Sequence, residues 1–398
     1  MKKRVLFVND EMTLGGVSRI LNNLMASLDQ DRYEIDLLVL HPHGDLMSEI
    51  PHGINLITST TFFDSVDTDI RTAIRGGQFK SIIHKIVFFM NMKSGSIIKK
   101  IISERAKILT KDYDVEFAAK EGFCTIFTAF GSTPVKLNWI QTDYRENNYA
   151  RRHMKLLKQA LARIDMNIAC SKQVAESFSE VFGVDNIKVI RNLIDEKTIR
   201  NLANQSVELN FFQNKTVNLI AVARFHPQKG LNRLIEALRY IKEFESDVRL
   251  ILIGDGPLME DLQEQVRKAN LEKEVLFMGY QINPYPYVKM ADLFVLSSHY
   301  EGYPTIVIES LICSTPVLAM NVAGVEDQIT ENYHGWIIPN RQKDLNSKLL
   351  KIVRNKENLL KQKVALSNFH YDNGAILKEI CYYIDNLGEG IKNDESTE

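Results

Sequence analysis

The sequence predicts an α/β protein built on parallel sheets and long enough for two domains. Three observations carry this expectation. Short, near-continuous apolar runs such as Arg4 to Val8 and Leu293 to Ser297 have the composition of strands buried on both faces. Each run leads through a turn into apolar residues at helical spacing, as in Val17, Ile20, Leu21, Leu24, Met25 and Leu28 after the first. The 398 residues suffice for two domains of ordinary size, each able to bury its own core.

Composition narrows the function classes. The chain has 49 basic and 50 acidic side chains, so no global field recruits nucleic acid. The charges are not evenly spread: residues 1–200 hold 28 Lys+Arg against 24 Asp+Glu, or +4, and the remainder 21 against 26, or −5. Cys124, Cys170, Cys313 and Cys381 lack paired spacing, which fits a reducing compartment and argues against a zinc site. Met-Lys-Lys-Arg followed only by Val-Leu-Phe-Val is too short in its apolar part for a signal peptide, and no run approaches the ~18 apolar residues of a spanning helix. A soluble or peripheral cytoplasmic protein is expected.

In chain order, the first strand ends near Asn9, and Gly15-Gly16 opens the helix that follows. A strand, a glycine pair and a helix N-terminus can cradle an anion, although most glycine pairs are only turns. Ser18 and Arg19 belong either to that cradle or to an ordinary first helical turn. Tyr33 to Leu40 is the second strand, and His41-Pro-His43 then reads as a loop of solvent-facing histidines, since no third metal ligand lies nearby. From Arg71 to Lys111 there are ten Lys+Arg and a single acid, Glu104. Phe79, Ile82, Ile83, Ile86, Val87 and Met90 form a helical stripe there, and Ile97, Ile98, Ile101 and Ile102 a second one. These stripes are expected to pack on the first sheet, with the surplus charge drawing the face toward an anionic membrane or acceptor.

Tyr113 to Ala119, Lys136 to Ile140, Met166 to Ala169 and Lys188 to Ile190 are further strands, with Ser171 placed as a helix N-cap and Gly183 as a helix stop. The helical segment 145–163 adds Arg145, Arg151, Arg152, Lys155, Lys158 and Arg163 against Glu146 alone. Asn192-Leu-Ile-Asp195 closes the first domain, 1–195, and a polar linker, 196–214, follows. The second domain, 215–374, opens with a strand from Val217 and the loop Arg224-Phe-His-Pro-Gln-Lys229-Gly230. Two cations five apart beside a helix N-terminus can neutralise a pyrophosphate, or simply solvate a loop. Arg249 to Ile253 ends in Gly254-Asp-Gly256-Pro, and Val275 to Gly279 runs into Tyr280. A last helix, 375–388, and a disordered tail, 388–398, complete the chain.

The stretch Glu301-Gly-Tyr-Pro-Thr-Ile-Val-Ile-Glu309 is a strand-to-helix turn at a carboxyl edge, where open α/β sheets bind ligands. Gly302 and Pro304 suit a loop whose N–H groups face an anion, with Pro304 at the first helical position. Glu301 and Glu309 can flank one ligand; the same spacing suits one solvated loop glutamate and one on an exposed helix face.

Two glutamates separated by seven residues, followed by Thr315-Pro-Val-Leu-Ala319, Ala323-Gly-Val-Glu-Asp327 and Gly335-Trp-Ile-Ile338, closely resemble the nucleotide-sugar-binding half of the retaining glycosyltransferases of family four. The resemblance runs from the first strand to about residue 375. It implies the GT-B fold: two Rossmann-like domains facing each other across a cleft that closes on the donor, with a C-terminal helix crossing back to the first domain. It implies transfer from a nucleotide-diphosphate sugar, UDP-linked in the first instance, with no cofactor and no metal. Arg224 and Lys229 match the diphosphate-binding pair, and Glu301 the residue holding the sugar. Glu309 matches the ribose ligand, while Gly302, Tyr303, Pro304 and Thr305 line the phosphates. Gly254 and Tyr280 frame the nucleoside, and Gly15 and Gly16 reach toward the diphosphate. At Gln141 many members have histidine; glutamine still hydrogen-bonds but does not titrate near neutral pH. That departure keeps open a second function, a catalytically impaired partner subunit that binds a nucleotide sugar or glycan. The expected acceptor is a glycan, a lipid-linked saccharide or a wall polymer.

Overall fold

A computed structural model of the chain describes residues 2–13, 15–66, 74, 77, 79–145, 154–212, 216–245 and 247–387. It separates into two compact units: residues 1–170, 174–193 and 373–398 form the first, and 171–173 with 194–372 the second.

The first unit contains a parallel sheet of seven strands in the order β3-β2-β1-β4-β5-β6-β7. The strands are β1 (Lys3–Asn9), β2 (Tyr33–Val39), β3 (Asn55–Thr58), β4 (Val115–Ala118), β5 (Val135–Ile140), β6 (Met166–Ala169) and β7 (Ile187–Val189). The helices are α1 (Gly16–Ser27), α2 (Thr61–Asp64), α3 (Phe79–Ser94), α4 (Ile97–Arg105), α5 (Phe123–Ala129), α6 (Met154–Leu161) and α7 (Lys172–Phe182). Val5 to Val8 and Leu37 to Leu40 are fully buried, which is why these strands read as continuous apolar runs. β3 escapes such a reading: its burial is partial and its sequence, Asn-Leu-Ile-Thr, is a short edge strand.

The second unit repeats the plan with six parallel strands in the order β10-β9-β8-β11-β12-β13. These are β8 (Val217–Val222), β9 (Val248–Ile253), β10 (Val275–Gly279), β11 (Leu293–Leu296), β12 (Val317–Met320) and β13 (Gly335–Ile338). Its helices are α8 (Glu196–Ala203), α9 (Leu231–Lys242), α10 (Met259–Lys268), α11 (Tyr285–Met290), α12 (Thr305–Ile312), α13 (Gln342–Val353) and α14 (Lys356–Ala365). The stretch read as a linker thus starts with α8, whose amphipathic residues pack in the second unit while Asp195 caps it by accepting from the Thr198 N–H at 2.9 Å. The last helix, α15 (Asn373–Asn386), belongs to the first unit. Lys3 Nζ caps its final carbonyls, of Ile384 and Asp385, and Asp385 takes hydrogen bonds from Arg32 and from the Tyr33 hydroxyl.

Three expectations need correction. His41 is buried at 8 % exposure, its Nδ1 3.4 Å from Asp64, because the β2 loop folds under α2; only His43 faces solvent. Pro304 is the cap of α12, one position before the first helical residue. Most of the apolar stripe of α3 does not enter the core, and Ile82 and Val87 are only half-buried. The helix attaches through Phe88, which clusters with Phe62 and Phe123 at 6.1 and 6.0 Å, so Phe79, Ile83, Ile86 and Met90 point outward at 75, 59, 52 and 64 % exposure. On α4, Ile97 and Ile101 do enter the core. Arg71, Arg75, Arg151, Arg152 and Glu146 lie outside the described residues.

Candidate functional site

In each unit the strand order reverses at one point, and the loops flanking that reversal hold Gly15 and Gly16 in the first unit and Arg224, Lys229 and Glu301 to Pro304 in the second, whereas Gln141, Gly254 and Tyr280 follow other strands. A crevice forms there because consecutive helices leave to opposite sides of the sheet. In the second unit the reversal lies between β8 and β11. The loop after β8 carries Arg224 to Lys229, and the loop after β11 carries Glu301 to Thr305.

These two loops are sewn together. His299 N–H donates to the Gln228 carbonyl at 2.8 Å, Gln228 Nε2 to the Tyr300 carbonyl at 2.9 Å, and Ser297 Oγ to the Lys229 carbonyl at 3.0 Å. Gly230 permits this approach. It has φ +59°, and a Cβ there would sit 2.3 Å from the Ser297 carbonyl. The stitching brings Lys229 Nζ to 2.7 and 2.9 Å from the two oxygens of Glu301, and Ser298 Oγ donates to the same carboxylate at 2.6 Å. Glu301 is 8 % exposed, so its charge is stabilised by this cation and hydroxyl more than by water. Arg224 stands exposed on the same loop, with no side-chain hydrogen bond or ion pair among the described residues.

Gly302 to Pro304 lead directly into α12, whose N-terminal N–H groups favour negative charge. The Tyr303 side chain turns inward, its hydroxyl 3.0 Å from that of Tyr371, so only its backbone faces the loop. Gly324 of the Ala-Gly-Val-Glu-Asp motif, at φ +86°, abuts this loop: a Cβ would lie 2.9 Å from the Gly302 carbonyl. Glu309 is 7 % exposed, which removes the reading of an exposed helix face. Burial and the neighbouring Glu309 push the Cys313 thiol up to about 12, leaving it an inert core group.

Gly254 donates its N–H to the Gly279 carbonyl at 2.9 Å, so the loops after β9 and β10 lie side by side, with Tyr280 half exposed at their edge. The need for glycine at 254 is met by packing alone, since at φ +137° a Cβ would come within 1.8 Å of the Ala223 carbonyl.

In the first unit the reversal lies between β1 and β4. Gly15 and Gly16 occupy the loop after β1, and both are exposed. Gly15 is extended, and added Cβ atoms would meet only open space, their nearest neighbours at 4.0 and 3.9 Å. Neither glycine is therefore demanded by the fold, and what their lack of side chains leaves is room at the start of α1. Ser18 is buried, its Oγ closing the loop onto the Glu11 carbonyl at 3.1 Å. Lys120 Nζ, on the loop after β4, meets Asp10 at 2.5 Å and ties the two flanking loops.

Gln141 follows β5, and its amide exchanges two hydrogen bonds with Asn192, at 3.3 and 3.1 Å. Its N–H donates to Glu121 Oε2 at 2.8 Å. Burial raises the Glu121 carboxyl above its usual range, against the lowering effect of hydrogen bonds from Thr142 and the Gln141 N–H. Ser298, Asn192 and Glu121 were not expected from sequence. Their signals are lone polar residues after apolar strands, indistinguishable there from turn formers. Among the described residues no group of three His, Cys, Asp or Glu side chains could hold a metal ion, and no helix is long and apolar enough to cross a membrane.

Comparison with known proteins places this geometry. Residues 14–198 match the family described as Glycosyltransferase Family 4, and residues 205–366 the one described as Glycosyl transferases group 1. A Campylobacter jejuni protein, N-acetylgalactosamine-N,N'-diacetylbacillosaminyl-diphospho-undecaprenol 4-alpha-N-acetylgalactosaminyltransferase, is 28 % identical over 49 % of this chain and 52 % of its own. The poly(ribitol-phosphate) alpha-N-acetylglucosaminyltransferase of Staphylococcus aureus is 30 % identical over 44 % of this chain and 34 % of its own. The chain spans between 33 and 56 % of the length of the first curated relatives it matches. The crystal structure of Anabaena Alr3699/HepE in complex with UDP has a similar fold, with a TM-score of 0.67 at 17 % identity, covering 100 % of both chains.

Proposed function

The chain belongs to the group 1, family-four glycosyltransferases and has their GT-B fold, and from that premise we propose that it moves a sugar, with retention of configuration, from a UDP-linked donor to a hydroxyl of a glycan, lipid-linked or wall-polymer acceptor.

One observation carries the proposal: the Lys229, Ser298 and Glu301 constellation at the mouth of α12, beside the exposed Arg224. In glycosyl transfer the bond from the anomeric carbon to the diphosphate oxygen breaks, and charge collects on the leaving group. Lys229 and the N-terminus of α12, held in place beforehand, and the exposed Arg224 would meet such charge as it develops, and preorganised cations and dipoles are the most effective form of stabilisation. They would do this work without a metal. Glu301, already held by Lys229 and Ser298, would accept hydrogen bonds from the sugar hydroxyls and set the ring's orientation. Glu309 would bind the ribose, and Gly15 and Gly16 would present open backbone N–H groups to a phosphate. The acceptor oxygen bonds to the anomeric carbon on the face the phosphate leaves, and its proton passes to the departing phosphate oxygen. Gln141, engaged with Asn192, would orient substrate hydroxyls and take no part in proton transfer.

The acceptor we place on lipid or on a wall polymer, in keeping with the diphospho-undecaprenol and poly(ribitol-phosphate) named for the Campylobacter and Staphylococcus relatives, with the protein working at the cytoplasmic face of a membrane whose anionic lipids attract the basic segments 71–111 and 145–163. The test is incubation with a panel of nucleotide sugars, following nucleotide release and reading the product's anomeric configuration by NMR. Release of UDP with an axial product from an axial donor is expected. Inversion refutes the mechanism, and no release from any donor favours the impaired partner subunit that Gln141 suggests.

A further inference from the structure

We propose that α3 is a membrane-insertion helix, lying in the surface of an anionic bilayer with its outward apolar face among the acyl chains. The inference deepens the peripheral placement above by naming the element that makes it, and it reverses the expectation that this stripe is core.

The helix is built inside out relative to a globular protein. At 100° per residue, Phe79, Ile83, Ile86 and Met90 fall within an arc of about 60°, and each is more than half exposed, with Phe89 at 50 % beside them. Phe88 lies opposite that arc and is the residue that anchors the helix to the first unit. A surface helix normally turns its apolar arc inward, and an exposed cluster of this kind marks a site of contact. The Phe88 anchor on the other side holds this arc outward.

Charge selects the occupant. The sixteen residues of α3 contain Lys80, Lys85 and Lys93 and no acidic side chain. On the same projection Lys80 and Lys93 flank the apolar arc on either side, and Lys85 lies farther round, toward the anchored side. Long aliphatic stems let such lysines keep their ammonium groups among phosphates while the helix sinks to the acyl boundary. A second copy of this chain would bring like charge against like charge along the seam, whereas a lipid surface supplies the opposite sign. At ~1.5 Å per residue the helix is about 24 Å long, fit to lie along a bilayer and not to cross one.

The experiment uses the full chain in sedimentation with vesicles of phosphatidylcholine alone or with about 30 mol % phosphatidylglycerol. Binding to the anionic vesicles is expected to exceed binding to the neutral ones, and to fall at least about tenfold in the triple variant Ile83→Ser, Ile86→Ser, Met90→Ser. Because these side chains are exposed, the triple variant should keep the parent Tm. A second variant, Phe79→Trp, should shift its emission to the blue on adding anionic vesicles, reporting entry into hydrocarbon. Unchanged sedimentation of the triple variant, or no blue shift, overturns the proposal. So does a parent dimer, seen by light scattering, that the triple variant converts to monomer without loss of vesicle binding, since the face then serves self-association. UDP binding measured without vesicles separates this inference from the catalytic reading: a parent chain that binds UDP but not anionic vesicles sinks only the former.

Discussion

Replacing Lys229 by methionine should separate what the Lys229–Glu301 pair does for the fold from what it does for a donor. In the parent the ammonium touches both carboxylate oxygens, at 2.7 and 2.9 Å, and the side chains of Lys229 and Glu301 are 20 and 9 % exposed. Removing one partner of a fully buried ion pair costs about 3–5 kcal/mol. Here Lys229 retains some contact with water and Glu301 keeps the Ser298 hydroxyl, so a loss of about 1–3 kcal/mol is expected. For a unit of this size that is a fall in Tm of about 2–4 °C per kcal/mol. The catalytic loss should be larger: a fixed charge that meets the leaving group is worth about 100- to 1,000-fold in kcat. The double variant Lys229→Met, Glu301→Gln removes the stranded carboxylate while keeping its shape and hydrogen-bonding capacity. It should recover the Tm of the parent while transfer stays low, because the cation is still missing. Calorimetry and steady-state kinetics on the parent, both single variants and the double variant close the cycle. Recovery of kcat/KM together with Tm in the double variant would mean that Lys229 only neutralises Glu301, and the assignment of Lys229 to the diphosphate would fail.

Arg224→Ala should leave the unfolding free energy within about 0.5 kcal/mol of the parent, as befits an exposed side chain, yet weaken UDP binding by about tenfold or more in calorimetric titration, the loss of one charge-assisted bond. Gly15→Val should fold normally, since the backbone is extended and the added atoms meet open space, while donor turnover falls at least about tenfold because the branched side chain fills the room at the start of α1. The Glu121 carboxyl, held by burial above the ordinary carboxylate range, makes a pH-dependent cost as pH rises through that range. In that window above about pH 4.5 the folded state holds a proton that the unfolded chain has already released, so stability falls as pH rises through it. Glu121→Gln keeps an oxygen for the Gln141 N–H and does not titrate. Its Tm should gain on that of the parent across the window and stay higher at neutral pH; a constant difference at all pH values would show that Glu121 carries no such shift.

Most of the scaffold is legible because buried parallel strands announce themselves. Val5 to Val8, Leu250 to Ile253 and Leu293 to Leu296 are each within a few per cent of full burial, and no other structural context explains such short runs so well. β3 was not legible, since an edge strand needs no continuous apolar run. The candidate site was legible at its charged residues, where Arg224, Lys229 and Glu301 stand on strand-to-helix turns and Glu309 lies within α12, the helix that follows. The partners that aim them were not. That Ser298 donates to Glu301, or that Asn192 holds the Gln141 amide, depends on the reversal of strand order bringing separate loops to one edge, a fact of three dimensions.

The stripe on α3 shows where periodicity stops informing. A period of 3.6 residues establishes that Phe79, Ile83, Ile86 and Met90 share a face; it has no term for what that face meets. The usual inference, that an apolar face meets the core, assumes water on the other side and one solvent only. On α3 the residue that decides is Phe88, a single aromatic on the polar side, whose contacts with Phe62 and Phe123 outweigh the choice the stripe would make alone. Two large rings buried against one another can fix a helix with its remaining apolar surface outward, provided a second apolar phase exists to receive it. Lys80, Lys85 and Lys93, on a helix with no acidic side chain, are then the complement of the phase proposed, and the two features, each ambiguous by itself, constrain one another: apolar contact without the charge would suit any partner, and charge without the apolar arc would suit any anion, but a helix carrying both fits an anionic bilayer surface.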